Sequence, residues 1–287
     1  MIGWDGWLKL GAVVAAAGVL GGLWFTAGTL VVTNKQYGIT ERTEVTNRFA
    51  QAVTQLGNES MDVRLGAIYQ LERLTIDSPR DRSVIFETIS AYIRTHAART
   101  PDCRPEQVQE ASQKKPPEDV QSALTVIGRR DSSGSERINL SRTCLVGANL
   151  HYANLAGLQV DDADLSFADL SNSVLRNGWF HRSSLDHAAL SGTDLTGIRS
   201  VKTSFVSANF LQANLSWAEF YNANFDNADF SGAYLSKTLF SCARLNGAAF
   251  AFSINLSLAH FESIQDSYQT RWPVEFIVPK NSDFLCS

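Results

Sequence analysis

Residues 208–232 read ANFLQ ANLSW AEFYN ANFDN ADFSG, and the five-residue beat of this stretch decides the fold of the C-terminal half. The beat runs from Leu140 to Phe250, with a leucine or phenylalanine on every fifth residue except Val160 and Ser200. Two residues earlier in most units sits an alanine, among them Ala148, Ala163, Ala188, Ala208 and Ala243. A period of five matches neither the helical 3.6 nor the strand period of 2, so the chain must turn a corner in every unit. A small and a large residue two apart both point inward along one short side, and the residues between face water. The expected product is a solenoid.

The triplets Ala-Asn-Leu at 148–150, 153–155 and 213–215, and Ala-Asp-Leu at 163–165 and 168–170, resemble those of pentapeptide-repeat proteins. The resemblance implies a right-handed quadrilateral β-helix with four units, hence 20 residues, per coil. After Phe250 the register slips by one, because the next inward residues read as Leu256 and Phe261; Ala259 still precedes Phe261 by two, so the slip reads as a corner bulge. Thr270-Arg271-Trp272-Pro273 is similar to terminators that follow such repeats. Trp272 is expected to cap the open end of the stack, where strand addition would otherwise occur.

Working outward, Leu10 to Thr33 holds 24 residues without a charge, enough to span a hydrocarbon core of about 30 Å as a helix. The preceding tail lacks a basic signal-peptide n-region, so residues 10–34 read as a retained transmembrane helix. Gly18 and Gly22 form a small-xxx-small pair suited to helix self-association, which makes a homo-oligomer possible. Lys9 on one side stands against Lys35, Arg42 and Arg48 on the other, and by the positive-inside tendency this places the C-terminal body in the cytoplasm. Cys103, Cys144, Cys242 and Cys286 have no disulfide-framework spacing and no CxxC pair, so reduced thiols are expected. The expected location is therefore the bacterial inner membrane, single-pass.

Between anchor and solenoid, residues 35–99 read as three helices of an armadillo-like or HEAT-like module: about 40–56, a second with Met61, Leu65, Ile68, Leu71 and Leu74 on one stripe, and a third with Val84, Ile85, Ile89, Tyr92 and Ile93. The run from Asp62 to Leu74 resembles a module found ahead of the repeats in membrane-anchored bacterial pentapeptide-repeat proteins. Its charges Asp62, Arg64, Glu72 and Arg73 are expected to form ion pairs within the module. A proline-bearing linker over 100–117 is expected to be partly disordered. A short helix in 118–135, with Val120, Leu124 and Ile127 on one stripe, should cover the first coil. The solenoid occupies 136–268, and 269–287 form the C-terminal cap and tail.

A four-sided helix filled by its own leucine, phenylalanine and alanine has no catalytic cleft, and no phosphate loop, dinucleotide fingerprint or metal-spaced histidine cluster appears. No catalytic residue, cofactor or metal is therefore expected. From Glu136 onward there are 14 acidic and 10 basic residues, against 15 of each before it. The related quinolone-resistance pentapeptide proteins mimic DNA and inhibit gyrase, which calls for dense negative charge; here the acids are dispersed and no nucleic-acid partner is expected.

Coil arithmetic singles out one side of the solenoid. Its outward columns read Asn139, Gln159, Trp179, Arg199, Glu219, Leu239 and Ser141, Asp161, His181, Val201, Tyr221, Ser241. Elsewhere the first column is mostly Asn, Asp, Ser or Ala. Trp179, His181, Arg199, Glu219 and Tyr221 are thus the candidate protein interface, since exposed aromatic and Arg residues anchor interfaces; the competing reading is a ladder in which Arg199 stacks on Trp179 and pairs with Glu219. The function expected is a non-enzymatic, membrane-anchored scaffold for another, unidentified protein. The alternatives are a membrane-acting stress or phage-defence effector and a gyrase inhibitor of the quinolone-resistance type.

Overall fold

The computed structural model describes residues 24, 42–103, 113–131, 136–265 and 269–277. The chain divides into two compact units, Met1–Gln51 and Ala52–Ser287. The expected membrane span at 10–34, with Gly18 and Gly22, lies outside the described residues apart from Trp24, which is helical and exposed. Among the described residues no helix is long and apolar enough to cross a membrane. In the first unit residues 42–51 are helical, tied by an Arg48–Glu44 pair at 2.6 Å.

The second unit carries a helical module and the solenoid. Residues 52–56 are helical, followed by α1 (Met61–Asp77), α2 (Arg82–His96) and α3 (Glu118–Gly128). Each buries the stripe its periodicity draws: Ile68, Leu71 and Leu74 on α1, Ile85, Ile89 and Ile93 on α2, and Val120, Leu124 and Ile127 on α3. Two members of the expected stripes are exposed, Met61 at the start of α1 and Val84 beside the buried Ile85 and Phe86. The three helices pack on one another. At their meeting point the buried Asp119 carboxylate accepts hydrogen bonds at 2.7 Å from both the Tyr92 hydroxyl and Arg64 Nε. Of the expected ion pairs within the module, Arg73 makes one with Asp77, whereas Arg64 and Glu72 pair beyond it, with Asp119 and Arg129 on and just after α3.

From residue 139 to residue 254 the chain coils with a 20-residue offset. Bridges join Asn139 to Gln159, Cys144 to Asp164, Asn149 to Asp169 and Asn154 to Val174, and each column continues upward, so one coil has four sides. The inward leucines and phenylalanines are buried throughout. The upper coils stack phenylalanine on phenylalanine: Phe210 and Phe230 lie 4.8 Å apart between ring centroids, as do Phe230 and Phe250, with planes within about 6°. The corner residue two after each inward one takes positive φ, from Arg142 to Ser263, the left-handed region that costs a glycine such as Gly157 or Gly197 least.

The Asn or Asp just before the inward residue also has a fixed task. Its side-chain oxygen accepts the backbone N–H two residues on, as Asn209 does from Leu211 at 2.9 Å and Asp229 from Ser231 at 2.9 Å, bending the chain into its corner. On the side beginning at Leu140 this residue type gives way to Gln159, Trp179, Arg199, Glu219 and Leu239, and from Arg199 onward the chain there runs as three-residue parallel strands: β1 (Arg199–Val201), β2 (Glu219–Tyr221), β3 (Leu239–Ser241) and β4 (His260–Glu262). They pair in the order β1-β2-β3-β4, and the step from Leu239 to His260 is 21 residues, the expected one-residue slip, absorbed by a 3-10 turn at Leu256–Leu258.

Both ends of the stack are closed. At the top Trp272 takes the inward position over Phe250, its ring stacked at 4.6 Å, and Phe276 stacks on Trp272 in turn. At the bottom α3 lies over the first coil: Asn154 donates its N–H to Gly128 O at 2.8 Å, and the Gln121 amide exchanges hydrogen bonds with the backbone of Asn149. Arg130 donates to the carbonyls of Glu136 and Asn154 at 2.9 Å and to that of Ala156.

One expectation is overturned. Cys103 and Cys144 form a disulfide, with Cα atoms 5.5 Å apart, and Cys242 is disulfide-bonded as well, so the described cysteines are not reduced thiols. The reason is topological. After α2 the chain runs antiparallel along the first coil, Arg99 donating to Arg142 O and Cys144 to Ala97 O, and this brings together two cysteines 41 residues apart. The ends of the expected linker are accordingly packed: Lys114 caps the carbonyls of Asp102 and Cys103, and its own carbonyl lies where a side chain on Gly147 would be.

Candidate interaction face

The five candidate residues share one side, as the coil arithmetic requires, because bridges and strand pairs put Trp179, Arg199 and Glu219 in successive coils and Tyr221 beside them. The Arg199 guanidinium carbon lies 5.4 Å from the Trp179 ring centroid, and Arg199 Nε is 3.6 Å from Glu219 Oε2. His181 meets the Trp179 ring edge-on at 5.6 Å, and its backbone N–H donates to Asp161 Oδ1 at 3.0 Å. Its Nδ1 is buried without a hydrogen-bond partner.

The ladder therefore exists, and its strength can be judged. Both side chains of the Arg199–Glu219 pair are more than half exposed, and the single long contact contrasts with the neighbouring Arg182, whose fork grips Asp162 through two bonds of 2.7 Å and holds that carboxyl below its ordinary range. Exposed pairs and exposed cation–π contacts each contribute up to about 1 kcal/mol, so the ladder uses little of this face's binding capacity. Trp179 keeps 43% of its surface exposed, Leu239 37% and Tyr221 36%. On this side strands β1 to β4 take the place of the isolated bridges that link the coils on the other sides.

Other exposed apolar side chains gather elsewhere. Trp217 carries Lys237 over its ring at 3.9 Å, and Tyr234 and Ile254 are adjacent rungs of the side that starts at Leu155. Among the described residues no group of three or more His, Cys, Asp or Glu side chains is placed to hold a metal ion.

A coil of four short sides with a two-residue inward beat defines a class of structure, the pentapeptide-repeat solenoid. Residues 136–180, 183–220 and 218–251 match the family described as pentapeptide repeats, in eight copies, and this segment belongs to that family. Similar solved structures include HetL, a pentapeptide repeat protein involved in heterocyst differentiation regulation from the cyanobacterium Nostoc, at 21% identity, covering 46% of this chain and 70% of that one with a TM-score of 0.27. A trypsin-treated variant of QnrB1, a plasmid-mediated fluoroquinolone resistance protein, matches at 18% identity over 45% of this chain and 69% of its own, with a TM-score of 0.33. A pentapeptide repeat protein from the Arabidopsis thaliana thylakoid lumen matches at 28% identity over 33% and 63%, with a TM-score of 0.19. No curated protein matches the chain.

Proposed function

We propose that the protein is a non-enzymatic, membrane-anchored scaffold whose right-handed quadrilateral solenoid presents one side to another protein. Residues 10–34 would be the tether, and Gly18 and Gly22 the face through which two tethers associate. The observation that carries the reading is the gathering of Trp179, Arg199, Glu219 and Tyr221 on a single exposed side, the residue types that dominate interface energetics. Full-length protein should remain in carbonate-washed membranes, and affinity purification of Trp179→Ala and Tyr221→Ala variants should lose a partner that the parent retains, at unchanged melting temperature. A fall in melting temperature with unchanged partners would leave the ladder as the sole role of this side.

The disulfides bear on which side of the membrane the body occupies. The charge asymmetry rests on Lys35, Arg42 and Arg48 against Lys9, a margin of two, whereas disulfides form and persist in oxidising compartments. We therefore favour the extracytoplasmic face of the bacterial inner membrane over the cytoplasmic one. Alkaline phosphatase fused after residue 277 should be active; an inactive fusion, with Cys103 and Cys144 alkylated by maleimide in intact cells only after permeabilisation, would restore the cytoplasmic orientation.

A further inference from the structure

Among the described residues, the hydrogen bonds that fasten the aromatic lid to the upper end of the solenoid lie on one side. Thr270 donates to the carbonyl of Leu245 at 2.8 Å, and Arg271 donates its N–H to Ala248 O at 2.8 Å and accepts that of Phe250 at 3.0 Å. From this hinge Trp272 and Phe276 reach across the coil, Trp272 over Phe250 and Phe276 to a ring-centroid distance of 5.9 Å from Phe261. On the far side β4, which carries Phe261, is the last strand of its sheet among the described residues.

Cys242 stands at that far side. It occupies the corner after β3, one coil below Glu262, whose carbonyl accepts its N–H at 2.8 Å. In the same corner column Lys202 is exposed and Asn222 and Ser263 are half-buried, yet Cys242 keeps only 2% of its surface exposed. Its sulfur is disulfide-bonded. Cys103 and Cys144 are bonded to each other, so of the four cysteines in the chain only Cys286 remains to pair with it. The reach is ample. Nine residues lead from Ile277, next to Phe276 in the lid, to Cys286, a contour of at most about 30 Å. Cys242 lies two coil spacings below the lid, or roughly 10 Å. A cysteine tethered so close has an effective concentration on the order of millimolar, which favours it over one on a second copy.

We propose that Cys242 and Cys286 form a disulfide and that residues 278–287 are thereby a latch, which holds the aromatic lid shut on the side opposite its hinge. Closing the latch removes one proton and one electron from each thiol and passes them to an external disulfide, which leaves as a dithiol; a reducing dithiol reverses the exchange. With the latch open, the lid hangs on the hydrogen bonds of Thr270 and Arg271, and the rings of Phe250 and Phe261 become accessible beneath it together with the outer edge of β4. β4 continues the side that bears Arg199, Glu219 and Leu239, so the latch also sets how firmly the upper rung of that side is held. It depends on the cysteines and the lid alone, and on neither the tether nor a partner.

The test uses the full chain, purified without reductant and alkylated before digestion. Trypsin should release the peptide 238–244 joined to 281–287, reduction should separate the two, and the intact chain should run as a monomer on a non-reducing gel. Hydrogen exchange then reads the latch itself. In Cys286→Ser, and in the parent treated with dithiothreitol, the backbone amides of residues 256–276 should exchange at least tenfold faster, while in Cys286→Ser those of residues 159–199 keep their rates. The change is local, so the unfolding midpoint of Cys286→Ser should match that of the parent. Cys286 is the residue replaced because Cys242 is buried and its variant would disturb the coil directly. Recovery of 281–287 as an alkylated thiol before reduction, its attachment to a second copy in a non-reducing dimer, unchanged exchange in Cys286→Ser, or equal acceleration throughout the solenoid would each overturn the latch.

Discussion

At the small inward position the chain chooses between alanine and a hydroxyl, and the hydroxyls have a use that the five-residue period does not reveal. Thr193 donates to the carbonyl of Leu170 at 2.8 Å and Thr238 to that of Leu215 at 2.9 Å, each reaching back 23 residues into the coil below. Ser200 differs, for it replaces the large inward residue, is buried, and its Oγ has no partner. Its anomaly was legible in the sequence as a gap in the leucine and phenylalanine column; its unsatisfied state was not, because partners come from other coils. Ser200→Ala should therefore stabilise the protein by about 1 kcal/mol, whereas Thr193→Val should cost about the same. Thermal unfolding of the two variants checks the pair, and a lower melting temperature for Ser200→Ala would mean that its hydroxyl is satisfied in solution.

Among the elements, α3 joins module to solenoid through a buried polar cluster. Burial and the neighbouring Asp119 push the Tyr92 hydroxyl up to about 12 from 10.0. Burial also tends to raise the Asp119 carboxyl, but hydrogen bonds from Tyr92 and Arg64 outweigh it and hold this carboxyl below its ordinary value. The signs differ. The raised Tyr92 contributes stability that is complete below pH 10 and is lost as pH rises towards 12; the depressed Asp119 contributes stability that is present above the unfolded carboxylate value near 3.8 and is lost as pH falls below it. Tyr92→Phe should flatten the alkaline limb, read as helical ellipticity against pH, and an unchanged limb would assign it to other groups. The contact of α3 with the first coil is close: a side chain on Gly128 would place its Cβ 2.8 Å from that of Ala153. Gly128→Val should destabilise the cap by more than 1 kcal/mol, since the chain there must shift to make room. The apolar stripe of α3 was readable from helical periodicity, but the ion cluster was not, because Arg64, Tyr92 and Asp119 lie on three different helices.

For the whole molecule the Cys103–Cys144 disulfide decides how firmly the module is held to the repeats. Closing a loop of 41 residues removes chain entropy from the unfolded state worth about 4 kcal/mol in the simplest account. Cys103→Ser with Cys144→Ser should lower stability by roughly 2 to 4 kcal/mol, and dithiothreitol should reproduce the loss in the parent but not in the double variant. An unchanged unfolding midpoint under reduction would mean that the packing of α3 on the coil holds the two parts unaided. The phenylalanine stacks of the upper coils set the other limit, because truncating a buried ring such as Phe230→Ala costs about 3 to 5 kcal/mol.

The sequence by itself determined the coil. A five-residue period, a small and a large inward residue in each unit, and Asn or Asp before the corner are local rules; each acts within a few residues or at a fixed 20-residue step, so the columns and the one-residue slip before Phe261 follow by counting, whereas Trp272 reaches its place over Phe250 through a further one-residue slip. It likewise placed Trp179, Arg199, Glu219 and Tyr221 on one side, for the same reason. Only the tertiary structure decided what joins segments without a common period: the return of the chain from α2 along the first coil, the disulfide that this makes possible, the Arg64–Tyr92–Asp119 cluster, and the pairing of Glu136 with Arg82. Such contacts depend on how a helical module with a 3.6-residue beat settles on a coil with a five-residue one, and no single repeat along the chain encodes that fit.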